Sequence, residues 1–214
     1  MITIREHRLI DDEFPVEQHT TNNTTGHIIT PKFLVLHHTA WLDFDAVVKW
    51  FKNPTSKVSA HLVIDTDGRV AQILPFNVKG WHCGPSYWRG MTDINSHSTG
   101  NEIVNYGWTP HKNSAGMIEP RRPGEFDPKK IGNPDGWLHA AHKLEPNEPK
   151  YWQKFAAKQF EVLDELVPMI ADEYKIREIV GHEEIAVPAG RKVDPGPAFP
   201  LAHYKEYTEH GNGT

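Results

Sequence analysis

The chain has a single cysteine, Cys83, which excludes an internal disulfide. It also lacks any apolar run long enough to span a bilayer. The opening stretch MITIREHRLIDDEF has no apolar core of the kind a secretory leader needs. Synthesis in the cytoplasm is therefore expected, with any export by a route that needs no Sec signal. A basic surplus is missing too. The 23 Lys and Arg are outnumbered by 28 Asp and Glu, giving a net charge of -5. A face built to hold phosphates is not expected, and nucleic acid is not an expected partner. Internal repeats, heptads and low-complexity tracts are absent as well. What remains is an ordinary soluble composition, 38% hydrophobic and 24% charged, over 214 residues, enough for one sizeable core.

Histidine and tryptophan stand out. There are 14 His and 7 Trp, a composition suited to a metal site and a groove for sugar or peptide, although surface histidines alone would also account for it. Residues 1–31 read as an irregular, Thr/Asn-rich arm. KFLVLHHTA (Lys32–Ala40) reads as a buried central strand. Phe44, Val47, Val48 and Phe51 then fall on one helical stripe, with Asp43 as N-cap and Pro54 closing the segment. Two β-rich runs around Asp67-Gly68 predict a hairpin. NEIVNYG (Asn101–Gly107) predicts a further strand. From Trp108 to about Pro149 no periodicity survives, apart from a short turn of helix in GWLHAAHKL, and the segment reads as an insertion. YWQKFAAKQFEVLDELVPMIADEY predicts the longest helix, with Pro168 inside it. REIVGH is a short strand, and 201–214 a C-terminal tail. Strands and helices interleave, so the class is α/β or α+β around one mixed sheet.

The densest chemistry lies in GHEEIAVPAGRKVDPGPAFP, Gly181–Pro200. It gathers His182, Glu183, Glu184, Arg191, Lys192 and Asp194 in a segment too broken by Pro and Gly for one helix or strand. His37 and His38 end an apolar strand, where side chains alternate faces, so only one of them can enter a given site. Two imidazoles and one carboxylate form a ligand set for catalytic zinc that leaves the fourth position open. Spacing alone leaves Asp194 equally readable as a turn cap, Glu102 as a surface carboxylate and Lys192 as an ion-pair partner.

FLVLHHTA, SAHLVI, GWHCG, STGNEIVNYG and GHEEIAVPAGRKVDPGPAF occur in that order. Together, from about Phe33 to Phe199, they resemble the zinc-dependent N-acetylmuramoyl-L-alanine amidases of the AmpD and peptidoglycan-recognition-protein (amidase type 2) superfamily. The resemblance implies an α/β single domain, with a central mixed β-sheet flanked by helices and a zinc site in a surface cleft at strand ends. Its catalytic domain would span 32–200 with the insertion at 108–149. The resemblance also implies that His37, His182 and Asp194 bind Zn2+, that Glu102 is the general acid/base and that Lys192 stabilises the developing oxyanion. Arg191 matches a residue near the bound peptide. His61, His82 and Trp81 fall in blocks that border the cleft, with structural roles open to each of them. Trp88 is more simply a core aromatic. Cys83 is expected to be a small packing residue, and Glu183 and Glu184 to face solvent. Two departures stand out. Asn101 precedes Glu102 where the family is usually small or apolar, and on a strand it would point away from Glu102. Ala60 before His61 places the chain with members that rely on Glu.

The function these readings imply is hydrolysis of the amide between N-acetylmuramic acid and L-alanine. The alternative is a non-catalytic peptidoglycan-binding module on the same fold, but such relatives typically lose a zinc ligand and none is missing here. A peptidoglycan or muropeptide substrate and a monomeric state are expected. Three settings fit: a cytoplasmic recycling amidase, a phage endolysin released by a holin, and an effector delivered by a secretion machine.

Overall fold

The computed structural model describes residues 2–10 and 16–209. In chain order the strands and helices are β1 (Thr3–Arg5), β2 (Arg8–Ile10), β3 (Glu17–Gln18), β4 (Phe33–His38), α1 (Phe44–Lys52), β5 (Leu62–Ile64) and β6 (Val70–Gln72). There follow β7 (Tyr87–Trp88), β8 (Met91–Thr92), β9 (Ser98–Ile103), β10 (Trp108–Thr109), α2 (Pro128–Ile131), β11 (Trp137–His142) and β12 (Glu145–Gln153). The chain closes with α3 (Ala157–Tyr174), β13 (Glu178–Gly181), α4 (His182–Ile185) and α5 (Leu201–Glu209).

A six-stranded mixed sheet in the order β13-β4-β9-β5-β6-β3 forms the centre. β13, β4, β9 and β5 run parallel, and β6 returns antiparallel to β5 across the expected Asp67-Gly68 turn. Strand alternation divides the core. Leu34 and Leu36 of β4 face α3 and α5, joining Leu163, Leu166, Val167, Ile170 and Tyr204 in one buried cluster. Phe33 and Val35 face the other way, packing with Val180, Ile185 and Cys83. α1 covers that same face further along, burying Phe44, Val47, Val48 and Phe51 against Val63, Ile73 and Val104. Asp43 caps α1 as its spacing predicts, accepting the Ala46 N–H at 2.9 Å. The helical stripe exists because each of its apolar side chains gains about 1.5–3 kcal/mol on full burial.

Several expectations need correction. The N-terminal segment is not an irregular arm throughout: β1 and β2 form a hairpin, and β3 joins the edge of the main sheet. The 201–214 tail contains α5, whose Tyr204 is buried in the main core. The insertion is ordered as a three-stranded sheet, β10-β12-β11, over a cluster of Tyr106, Ile118, Phe126 and Trp137. GWLHAAHKL is strand rather than helix, because its residues pair with β12, Leu138 opposite Trp152. For the same reason the long helix starts at Ala157, not at Tyr151. Gln159 fixes that start. Its side-chain carbonyl accepts the Ala156 N–H at 2.9 Å and its amide donates to the Val104 carbonyl at 2.8 Å. Gln159 is fully buried, so Gln159→Leu would leave both backbone groups unpaired. Urea denaturation is expected to show a loss of about 1–3 kcal/mol; an unchanged midpoint would contradict this role for the side chain.

Candidate metal centre

The C-terminal ends of the parallel strands bring the site together. β4 and β9 pair with His37 directly beside Glu102, so both side chains leave the same face of the sheet. β13 lies on the other side of β4, and its last residue, Gly181, hands the chain to His182 at the first position of α4. The chain then loops through Pro188 and Gly190 and returns Asp194, so that the Asp194 carbonyl accepts the Glu183 N–H at 2.8 Å.

His37, His182 and Asp194 converge. His37 Nδ1 lies 3.0 Å from His182 Nδ1 and 3.1 Å from Asp194 Oδ2, and His182 Nδ1 lies 3.0 Å from the same oxygen. All three residues are buried. Among the described residues they are the group of His, Cys, Asp or Glu placed to share an ion. Zinc at its usual bond lengths of about 2.0–2.2 Å separates tetrahedral ligands by about 3.3–3.5 Å, so the cluster is close to the required size. Both imidazoles are also oriented from behind. His182 donates its Nε2–H to the Cys83 carbonyl at 2.9 Å. His37 Nε2 lies 3.0 Å from His82 Nδ1. With the outer nitrogens engaged, the inner Nδ1 lone pairs are left for an ion, the arrangement metal-binding histidines adopt.

His82 is held in turn. Asn95 Oδ1 accepts its backbone N–H at 3.0 Å, and its ring crosses Gly100 so closely that a Cβ there would lie 2.4 Å from Nδ1. It lines the cleft as the sequence expectation has it, together with Trp81 and Lys192. His61 does not reach the cleft. Its Nδ1 accepts the Gly100 N–H at 2.9 Å and its Nε2 donates to the Val78 carbonyl at 2.9 Å, so neither ring nitrogen is left for a substrate. Arg191 borders the cleft, but its guanidinium donates to the carbonyls of Val187, Cys83 and Pro85 and fastens the loop. Glu183 is buried rather than solvated, and Glu184 is bound by Lys143 and Lys205. Cys83 is buried in the core and stands outside the ligand group. Trp88 packs at the edge of the same core cluster. Asn101 sits opposite Leu36, on the face away from Glu102, and its side-chain amide is buried without a hydrogen-bond partner. His38 stays out of the cluster. A Cβ on Gly107 would lie 2.5 Å from its ring, and its Nδ1 accepts the Ala40 N–H.

The cleft encloses about 530 Å³. Its wall from residues 40–58 contributes Trp41, Val47, Trp50 and Phe51, and no charged side chain. The insertion supplies Trp108, Arg121 and Glu145. The sequence marks Val47 and Phe51 only as part of a helical stripe and gives none of these residues a place in the cleft. The signal available was Trp50, which lies off the buried stripe of α1 and is 44% exposed.

Burial sets the electrostatics. It pushes the Glu102 carboxyl up to about 8, helped by the nearby Asp194 charge and opposed by Lys192. Burial and the neighbouring His182 hold His37 down to about 4, against the pull of Asp194. Burial alone would raise Asp194, but the His182 and His37 rings outweigh it and hold the carboxyl well below the ordinary range.

Residues 28–197 match the protein family described as N-acetylmuramoyl-L-alanine amidase. The chain belongs to this family. It is 29% identical over 191 residues to the amidase AmiD of Escherichia coli, across 85% of this chain and 54% of that protein. It is 28% identical over 149 residues to the 1,6-anhydro-N-acetylmuramyl-L-alanine amidase AmpD of E. coli, across 70% of this chain and 57% of that one. The chain thus spans about half the length of these curated relatives. Among solved structures it resembles E. coli AmiD in complex with anhydro-N-acetylmuramic acid-L-Ala-D-γ-Glu-L-Lys. The TM-score is 0.60 at 26% identity, over 100% of this chain and 66% of that one. AmpDh3 of Pseudomonas aeruginosa with anhydromuramic pentapeptide gives 0.57 at 26% identity, over 92% and 65%.

The raised Glu102 pKa makes a prediction for the metal-free amidase fold. Between the unfolded value near 4.5 and the folded value of about 8, the native state holds more protons than the unfolded one. The stability this group contributes is therefore present below 4.5 and lost as pH rises toward 8. Glu102→Gln removes that loss. In chelator, the variant should gain on the order of 3 kcal/mol over wild type at pH 8 relative to pH 5, read by denaturant titration at both pH values. An equal difference at both would contradict the raised pKa of this carboxyl.

Proposed function

We propose that the chain is a zinc-dependent amidase that hydrolyses the amide between the lactyl carbonyl of N-acetylmuramic acid and L-alanine of the stem peptide. The observation that carries this reading is the buried His37–His182–Asp194 cluster beside Glu102, all four lining the cleft. Membership of the amidase family, and relatives whose complexes contain anhydromuramic peptides, support it. A binding module would need neither the complete ligand set nor a carboxylate held near neutral pKa beside it.

Zinc bound by His37, His182 and Asp194 supplies a Lewis-acidic centre that polarises a carbonyl and acidifies water. Glu102 accepts the proton of the attacking water and delivers it to the leaving nitrogen of L-alanine; a pKa near neutrality suits both halves of that transfer. Lys192 in the cleft wall offers positive charge to the oxygen that becomes negative as water adds. The aromatic wall of Trp41, Trp50 and Trp81 excludes water and seats the apolar faces of the substrate. Arg121, which lies between the rings of Tyr106 and Trp108, adds a positive group on the opposite wall. The catalytic unit proposed is 32–200, inserted sheet included.

Among the described residues no helix is long and apolar enough to cross a membrane. The biological setting is decided by comparing rates on intact sacculi with rates on soluble anhydro-muropeptides. A recycling enzyme favours the soluble fragments, and an endolysin or delivered effector favours the polymer. The activity itself is tested by mass spectrometry of digested muropeptides. Stem peptides with a free L-alanine amine should appear with the wild type and vanish with chelator. Glu102→Gln should lower kcat by about 10²–10⁴-fold and Lys192→Ala by about 10²–10³-fold. Products unchanged by chelator and by both substitutions would refute the mechanism.

A further inference from the structure

The inserted sheet reaches the metal cluster from behind. β11 ends on His142, which is buried, with Nε2 at 2.8 Å from Glu183 Oε2. The same oxygen accepts the backbone N–H of Gly196 at 3.2 Å, and the other carboxylate oxygen lies 2.7 Å from Lys143 Nζ. Glu183 donates its own backbone N–H to the Asp194 carbonyl at 2.8 Å. β12 adds Trp152, whose indole lies flush on Gly196; a Cβ at that glycine would sit 2.4 Å from the ring, and its φ of +78° also favours glycine. His142 lies across the same indole, with ring centroids 5.6 Å apart. The turn that carries Asp194 is thus gripped twice. The Glu183 backbone holds the Asp194 carbonyl, while the Glu183 carboxylate and Trp152 hold Gly196 two residues on. Glu183 lines no part of the catalytic cleft and stands outside the ligand group, so its three polar partners serve something other than the reaction itself.

We infer that the inserted sheet is a positioning element for the Asp194 carboxylate, acting through His142, Glu183 and Trp152 to set how tightly the cluster holds its metal. The inference rests on His37, His182 and Asp194 being the metal ligands, and it is independent of the substrate. The physical reason is entropic. Asp194 sits in a turn rich in proline and glycine with no strand or helix of its own, and an ion binding there would otherwise have to order that turn at its own expense. Partners behind a ligand remove that cost in advance, and their loss typically weakens metal binding 10–100-fold.

The test measures the zinc dissociation constant of the metal-free full chain by competition with a chromogenic chelator. Hydrogen exchange at the Gly196 amide is followed alongside. His142→Leu should weaken zinc about tenfold and speed Gly196 exchange. His142→Gln, which keeps an N–H donor toward Glu183, should recover most of both. A sheet that merely stabilises the fold would lower the urea midpoint of His142→Leu and leave the zinc constant of the folded protein within twofold, which would overturn the proposal. Should His142→Leu fail to fold, the isosteric Glu183→Gln decides: several-fold weaker zinc supports the inference and an unchanged constant overturns it. Wild-type protein that binds no zinc would overturn the ligand assignment and this inference with it. Wild type that binds zinc but cleaves no muropeptide would overturn the amidase reading alone.

Discussion

Two imidazole nitrogens and one carboxylate oxygen held within 3.1 Å of each other, on largely buried side chains at the floor of the cleft, set the terms for everything around them. Groups of this kind resist burial, because each loses hydration and their lone pairs repel. Only a cation at the centre relieves both costs at once. The rest of the site supplies the conditions under which that cost can be borne. The outer ring nitrogens are engaged by the Cys83 carbonyl and by His82, and glycine at 100 leaves room for the second of these rings.

The fold delivers this convergence economically. Parallel strands in register place His37 beside Glu102 without any special loop. Strand alternation then sends Leu34, Leu36 and Asn101 to the helix-covered core, while Phe33 and Val35 pack on the cleft side. The third member of the cluster is different in kind. Asp194 comes from irregular chain, and its turn is held by the backbone of Glu183 on one side and by Trp152 of the inserted sheet, packed on Gly196, on the other. The same insertion presents Trp108, Arg121 and Glu145 to the cleft, and its His142 and Trp152 pack behind the turn that carries Asp194, so both sets of contacts serve one site.

Sequence made legible whatever was locally periodic. The apolar strand Phe33–His38, the stripe and cap of α1, the Asp67-Gly68 hairpin and the strand before His182 follow from neighbours within a few residues of one another. Spacing alone leaves His37, His182, Asp194 and Glu102 open; the resemblance to an amidase family points to them, and the structure brings the first three together beside the fourth. What was illegible depended on partners far along the chain. Trp152 and Phe155 fit a helical stripe, but Trp152 is drawn into a strand by pairing with Leu138 and packing on Gly196. Pro146 and Pro149 within β12 disguise it as loop. His61 looked like a cleft residue because its block borders the site, while its two backbone hydrogen bonds are visible only in three dimensions. Glu183 looked like surface charge until His142 came to meet it.

The central claim is that one metal ion is held by His37, His182 and Asp194 with no help from the buried thiol beside them. Zinc K-edge X-ray absorption on the zinc-loaded protein tests it most directly. The expected spectrum has only nitrogen and oxygen neighbours at about 2.0–2.2 Å, with imidazole multiple scattering fitted by two histidines. A sulfur neighbour at about 2.3 Å, or a third imidazole, would contradict it, since Cys83 or His82 would then have taken a place assigned here to the carboxylate or to water.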